Sequence, residues 1–149
     1  MTNDELREIL KAHRAWLAGD ESGKCANLEG ANLWCADLHY ALLRGANLEG
    51  ASLWGANLEG ANLQGANLWD ADLREADLRE ADLQGADLRK ADLRKADLRK
   101  ADLREADLRE ADLRGADLRG ARVFGVQHMR GIDATIVVGD EMKIVEGEP

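Results

Sequence analysis

The chain has 149 residues, a third of them charged, and its net charge of −9 excludes a broadly basic surface of the kind that binds phosphate backbones. No apolar run is long enough to span a membrane. Met1 leads into a charged segment rather than the apolar stretch of a secretory signal. We therefore expect a cytoplasmic protein without membrane association and without direct nucleic-acid binding.

Residues 1–25 have the pattern of a capping helix and a linker. Thr2-Asn3-Asp4-Glu5 reads as a capping box, and Gly19 is a typical residue after a helix end. Apolar side chains follow at helical spacing, at Leu6, Ile9, Leu10, Trp16 and Leu17. The pattern predicts an amphipathic helix over residues 3–18, with His13 on its apolar face, that covers one end of the next segment. A membrane-surface or partner-binding helix is the alternative.

Residues 26–125 repeat every five residues without interruption. All twenty units of the form Ala-Asp/Asn-Leu-X-X open with Ala, and nineteen have Leu at the third place, Val123 being the exception. An α-helix would turn by about 500° per unit, so the leucines would spiral around it without forming a stripe. A continuous strand also fails, because its side chains alternate with period two and five is odd.

A turn in every unit removes this conflict. Ala and Leu then point inward, the residue between them points outward, and the last two places form a corner. Gly fills the fifth place in ten of the twenty units, where it permits positive φ. We expect corners with Glu, Lys or Asp at that place to avoid positive φ. The chain winds into coils that must stack to bury their leucines, which predicts an all-β solenoid.

These units resemble the pentapeptide-repeat proteins over residues 26–125. The departures are Leu42, Ser52 and Arg122 at the second place and Val123 at the third. The resemblance implies a right-handed four-sided β-helix with four units per coil, and therefore about five coils from the twenty units. Residues twenty apart would then stack, and one interior column would contain Leu28, Leu48, Leu68, Leu88 and Leu108.

In that geometry the outer surface changes along the rod. The first coils contain Asn, Gly and aromatic residues, whereas the later coils contain Asp, Arg and Lys. Asp columns beside Arg columns predict a nearly self-neutralised lattice. In one column Trp54 precedes Arg74, which predicts a cation–π contact. The side chains that would form a partner-binding patch, unless they only stack on the surface, are Trp34, His39, Tyr40, Trp54 and Trp69.

Residues 126–149 lie outside the repeat and are rich in apolar side chains. Residues 134–138 and 141–145 flank Gly139-Asp140, which predicts a short C-terminal β segment with a tight hairpin turn. We expect this segment to cover the last coil or, second, to pair with another copy of the chain in a homodimer. The last residues, 146–149, read as a tail. The candidate cap or dimer residues are Phe124, Val126, Met129, Ile132, Ile136 and Val138.

No catalytic or metal-binding motif accompanies the repeat. The histidines, His13, His39 and His128, are not at metal-ligand spacing with cysteine or glutamate. No serine has a nucleophile signature, and there is no Gly-rich phosphate loop. Cys25 and Cys35 would lie on opposite sides of a coil and should not form a disulfide. We expect no enzyme, no catalytic residue, no metal and no cofactor.

The sequence favours a non-catalytic structural scaffold or protein-interaction module with an unknown protein partner. The resemblance also implies an alternative, because some pentapeptide-repeat proteins are similar to B-form DNA in width and charge and bind type II topoisomerases such as gyrase. The acid excess here is modest and no loop interrupts the repeats, so DNA mimicry ranks second.

Overall fold

A computed structural model of the protein describes residues 1–123. The predicted C-terminal β segment lies outside the described residues. So do the candidate cap or dimer residues, whose role stays a prediction: Phe124, Val126, Met129, Ile132, Ile136 and Val138.

The N-terminal segment forms one helix, α1, at Asn3–Leu17. It begins with the predicted capping box: the N–H of Glu5 donates to Thr2 Oγ1 at 3.2 Å, and the N–H of Thr2 donates to Glu5 Oε2 at 2.7 Å. The helix ends before Gly19, whose φ of +78° reverses the chain direction as the sequence predicts.

Helix α1 packs against the start of the solenoid. Leu6 belongs to the same buried cluster as the first leucines of the repeat, and Ile9 and Leu10 pack against that cluster. His13 is fully buried, and its Nδ1 accepts a hydrogen bond from the backbone N–H of Ala26 at 3.0 Å. Burial lowers the pKa of His13, and the backbone of Arg44 opposes this shift. Because Nδ1 acts as an acceptor, this contact requires the neutral ring.

The repeat forms a stack of coils joined by single parallel bridges. Within residues 26–123 each bridge joins two residues twenty apart, from Asn27–Asn47 to Asp102–Arg122, and none extends into a longer strand. Twenty residues are four units, as predicted. Each coil bonds to the next through its backbone: the N–H of Leu48 donates to the C=O of Asn67 at 2.7 Å. We call residues 26–45, 46–65 and 66–85 the first, second and third coils.

Ala and Leu fill the interior of the stack. The leucines from Leu43 to Leu103 have 0 % exposure, and the column Leu28, Leu48, Leu68, Leu88 and Leu108 has at most 3 %. The second-place residues face outward: five are exposed and the others are half-buried, the exposed ones being Asn27, Asn32, Asp37, Leu42 and Arg122. Because each coil contributes few side chains to a narrow interior, the core depends on every coil having a neighbour.

The corners differ from the prediction. All fifth-place residues from Gly30 to Gly120 have positive φ, and ten of them are not glycine, with φ between 52° and 62°. The expectation that Glu, Lys and Asp corners avoid positive φ was therefore wrong. The reason is the hydrogen-bond pattern. The N–H of each corner residue through Lys100 donates to a backbone carbonyl of the next coil, and the N–H of the following Ala donates to the carbonyl of the preceding Leu. These bonds impose one turn conformation whichever residue is present.

This correction predicts unequal effects of alanine within one corner column. Gly85 and Glu105 occupy the same corner in successive coils, with φ of 65° and 60°. Nothing lies within 4 Å of a Cβ added at Gly85, so Gly85→Ala introduces backbone strain alone. We expect it to lower the free energy of unfolding by about 1 kcal/mol. Glu105→Ala should change it by less than about 0.5 kcal/mol. Urea denaturation measures both, and equal losses would show that strain at this corner does not depend on the side chain.

Candidate interaction surface

From the third coil onward, paired charges cover most of the outer surface. Arg74 donates from Nε to Asp72 Oδ1 at 2.7 Å and from Nη2 to Asp72 Oδ2 at 2.6 Å. The same two-residue pairing recurs at Arg79, Arg89, Arg94, Arg99, Arg104, Arg109, Arg114 and Arg119. Arg74 Nε also lies 3.6 Å from Asp92 Oδ2 in the next coil. The predicted Asp/Arg lattice is therefore present. Its arginine and aspartate side chains bond one another and not a partner protein.

The lattice shifts the titration of its carboxylates. The side-chain hydrogen bond from Arg74 lowers the pKa of Asp72, and Asp102 is lowered in the same way by Arg104. Since the folded-state pKa is lowered, these pairs stabilise the fold above the unfolded pKa of about 3.9 and lose that effect as the pH falls further. The side chains of Arg74 and Arg99 are 38 and 42 % exposed, so each pair contributes only modestly.

On the first two coils, stacked tryptophan side chains take the place that arginines occupy in the later coils. Trp34 stacks on Trp54 with ring centroids 5.6 Å apart and an interplanar angle of 15°. Arg74 lies over the other side of the column, with its Cζ 5.2 Å from the Trp54 ring centroid. The predicted cation–π contact is confirmed. Trp34 remains 61 % exposed at the N-terminal end of this column.

The remaining predicted residues fall into two groups. His39 and Tyr40 contact each other on the next face of the first coil, with ring centroids 4.0 Å apart. The Tyr40 ring covers Gly60, where an added Cβ would lie 2.1 Å from it. Trp69 lies elsewhere, in the column of the preceding face, where it is half-buried and has Lys90 Nζ 5.2 Å from its ring centroid. The structure thus brings Trp34 and Trp54 together and separates Trp69 from both.

Sequence analysis missed two exposed apolar residues in the N-terminal part of the chain. Leu42 is 42 % exposed, and its second-place position was the available signal because that place faces outward. Trp16 was assigned to the apolar face of α1, yet it is 43 % exposed and stacks on His13 at 5.5 Å. Among residues 1–123, every exposed large apolar side chain lies in the first 54 positions.

Other chemistry is sparse in the part of the chain that the structure describes. Cys25 and Cys35 are free thiols. Residues 1–123 contain no cluster of three or more His, Cys, Asp or Glu side chains arranged to hold a metal ion. The same residues include no helix both long enough and apolar enough to cross a membrane. The exposed aromatic residues of the first two coils are therefore the surface with most potential for recognition.

Comparison with known proteins identifies the repeat. The family model described as pentapeptide repeats matches eight copies, over residues 24–60, 41–79, 56–94 and 86–123. The chain belongs to the pentapeptide-repeat family. Proteins of this family fold as right-handed quadrilateral β-helices. No curated protein matches the chain.

Two solved structures similar to this chain are also pentapeptide repeat proteins. The chain is 32 % identical to a pentapeptide repeat protein from Nostoc Pcc 7120, over 87 % of this chain and 93 % of that one, with a TM-score of 0.45. It is 36 % identical to a pentapeptide repeat protein from the Arabidopsis thaliana thylakoid lumen, over 61 % of this chain and 60 % of that one, with a TM-score of 0.37. A distant similarity, at 19 % identity, joins it to QnrB1, a plasmid-mediated fluoroquinolone resistance protein, over 78 % of this chain and 77 % of that one with a TM-score of 0.32.

The prediction of a cytoplasmic location was wrong, because this sequence does not establish it. The 36 %-identical protein comes from the thylakoid lumen, so this repeat is not confined to the cytoplasm. The physical reason is that Ala, Leu and the corner residues specify a solenoid, whereas location is read from targeting segments. The chain spans about 60 % of the length of that lumen protein.

Proposed function

We propose that this pentapeptide-repeat protein is a non-catalytic interaction module whose first two coils bind another protein. The observation that carries the proposal is the concentration of exposed apolar side chains at one end of the rod: Trp34, Tyr40, Leu42 and Trp54 are 61, 64, 42 and 39 % exposed. Exposed tryptophan and tyrosine side chains are the residues that most often contribute binding energy at protein interfaces.

The rest of the rod supports this assignment by contrast. In the later coils, arginine and aspartate side chains satisfy one another within the protein, which leaves few groups free to bond a partner. The backbone of the stack is bonded coil to coil, so the first coils are held on a rigid support. A rigid aromatic surface loses little conformational entropy on binding.

A photo-crosslinking experiment tests the proposal. A photoreactive phenylalanine derivative in place of Trp34 or Trp54 should capture the same protein from a lysate of the source cells. The matched control carries the derivative in place of Gln84, which is also a fourth-place residue but lies in the third coil. Capture from the control position equal to that from position 34, or no capture from either tryptophan position, contradicts a binding surface on the first coils.

One observation favours a second function, mimicry of DNA toward a type II topoisomerase such as gyrase. The net charge is −9, and carboxylates recur at regular spacing along the rod. We rank this function second because arginines in the same coils neutralise most of those carboxylates, leaving residues 71–120 with 14 acidic and 12 basic side chains. A gyrase supercoiling assay with micromolar protein tests it, and unchanged supercoiling would contradict it.

A further inference from the structure

We propose that the partner presents an arginine side chain, which stacks on the open ring of Trp34 and pairs with the carboxylates of Glu29 and Asp37. This inference rests on the proposed function and names the chemistry of the partner: an arginine-containing, basic protein segment.

The solenoid itself shows that its tryptophan rings accept cations. Arg74 lies over Trp54 and Lys90 over Trp69, each 5.2 Å from the ring centroid. Trp34 is the one solenoid tryptophan without a cation over its ring among residues 1–123. One of its faces stacks on Trp54, and the side chain is still 61 % exposed. A guanidinium placed on Trp34 would therefore repeat, at the end of the column, the contact that Arg74 makes with Trp54.

Glu29 and Asp37, the acidic residues that flank Trp34 in the sequence, lack the ion pairs found farther along the rod. Asp37 is exposed and accepts bonds only from neutral groups, the N–H of His39 at 3.2 Å and Asn57 Nδ2 at 3.3 Å. Exposed Glu29 has one long contact, 3.4 Å from Asn47 Nδ2. Neither carboxylate forms an ion pair with any residue in the described range. Both flank Trp34 in sequence, Glu29 at the preceding corner and Asp37 on the following face.

Charge favours a basic partner over the other ligands that stack on tryptophan. Residues 26–70 contain five acidic side chains and one basic side chain, Arg44. A nucleobase also stacks well on an exposed indole. However, its phosphates would meet this acid excess without cations to neutralise them. Arginine is favoured over lysine because its planar guanidinium stacks on aromatic faces and bonds carboxylates in a fixed fork.

Titration with a defined peptide tests the inference. The probe is a Gly/Ser peptide with four arginines, compared with the same peptide carrying four lysines. The readout is the indole N–H resonance of Trp34 in ¹⁵N-labelled full-length protein, assigned with Trp34→Gln. We expect the arginine peptide to shift this resonance and to bind at least about two-fold more tightly than the lysine peptide. Trp34→Gln, followed through the indole N–H resonance of the adjacent Trp54, should weaken binding about three- to five-fold.

Two matched controls separate local recognition from general acidity. Trp69→Gln removes a tryptophan that already has a cation over it, so it should leave binding unchanged. Glu29→Gln with Asp37→Asn should weaken binding about three-fold or more. Glu105→Gln with Glu110→Gln, which removes the same charge from exposed corners of later coils, should have less effect. Gln and Asn already occupy the fourth and second places in other units, and thermal melting checks that each variant folds.

The possible outcomes distinguish this inference from the proposed function. Equal loss in the two double variants, or equal binding of the two peptides, overturns arginine recognition. If the arginine peptide leaves the Trp34 resonance unchanged while position 34 still crosslinks to a protein, the interaction surface stands and its partner has other chemistry. If the peptide binds as expected, the inference is supported whichever protein carries that arginine.

Discussion

Replacement of Leu78 by Asp is expected to unfold most of the protein. Leu78 lies in the third coil with 0 % exposure, between Leu58 and Leu98 of the same column. The change removes a buried leucine side chain, which costs about 2–5 kcal/mol even for Leu→Ala. It also places a carboxylate in an interior without a polar partner. We expect a combined loss of more than about 5 kcal/mol, comparable to the whole stability of a small domain.

The position of Leu78 increases the effect. Each coil is stabilised mainly by its two neighbours, so damage in the middle weakens the interfaces on both sides. Circular dichroism and urea denaturation measure the loss. Gln84→Glu is the control, since it adds the same charge at an outward fourth place and should change stability by less than about 0.5 kcal/mol. A Leu78→Asp protein with the midpoint of the control would show that the third-place leucines are not the core.

The repeat period was sufficient to predict how the side chains of the solenoid are arranged. An odd period of five is incompatible with a helical stripe or a strand, and Ala and Leu at places one and three then share the interior. Once four units make a coil, positions such as Trp54 and Arg74 must stack, and the predicted cation–π contact follows. The columns could therefore be predicted by counting, but only after the resemblance to the pentapeptide-repeat proteins had supplied four units per coil.

The corners and the surface exposures could not be predicted in the same way. Residues such as Lys95 and Tyr40 adopt positive φ because bonds to the next coil fix the turn, and local propensity gives no sign of this. Trp16 has helical spacing with Leu6 and His13, but those two side chains are buried whereas Trp16 is 43 % exposed. Which aromatic rings stay exposed depends on how the side chains pack in three dimensions. The candidate site consists of those exposed rings, so its composition could not be predicted from the sequence.

Gly23→Ala is expected to detach α1 from the first coil. A Cβ at position 23 would lie 2.1 Å from the backbone nitrogen of Trp16 and 2.6 Å from the carbonyl carbon of Ala15. These are backbone atoms within a hydrogen-bonded helix, so they cannot move aside as a flexible side chain would. The linker must shift instead, and it carries the bonds that attach the helix: Lys24 N–H to the Ala12 carbonyl at 3.1 Å, and Ala26 N–H to His13 Nδ1 at 3.0 Å.

The effect should be large and local. Overpacking of this kind costs about 3 kcal/mol, which corresponds to roughly a hundred-fold faster exchange of the Ala26 amide hydrogen through local opening. Amides deep in the solenoid, such as that of Leu78, should keep their protection because their bonds run between coils. Lys24→Ala is the control, since it changes the exposed side chain of the same linker and keeps the backbone bond to Ala12. Exchange at Ala26 that is equally slow in both variants would show that the linker accommodates a Cβ and that close contact with α1 does not hold the helix on the first coil.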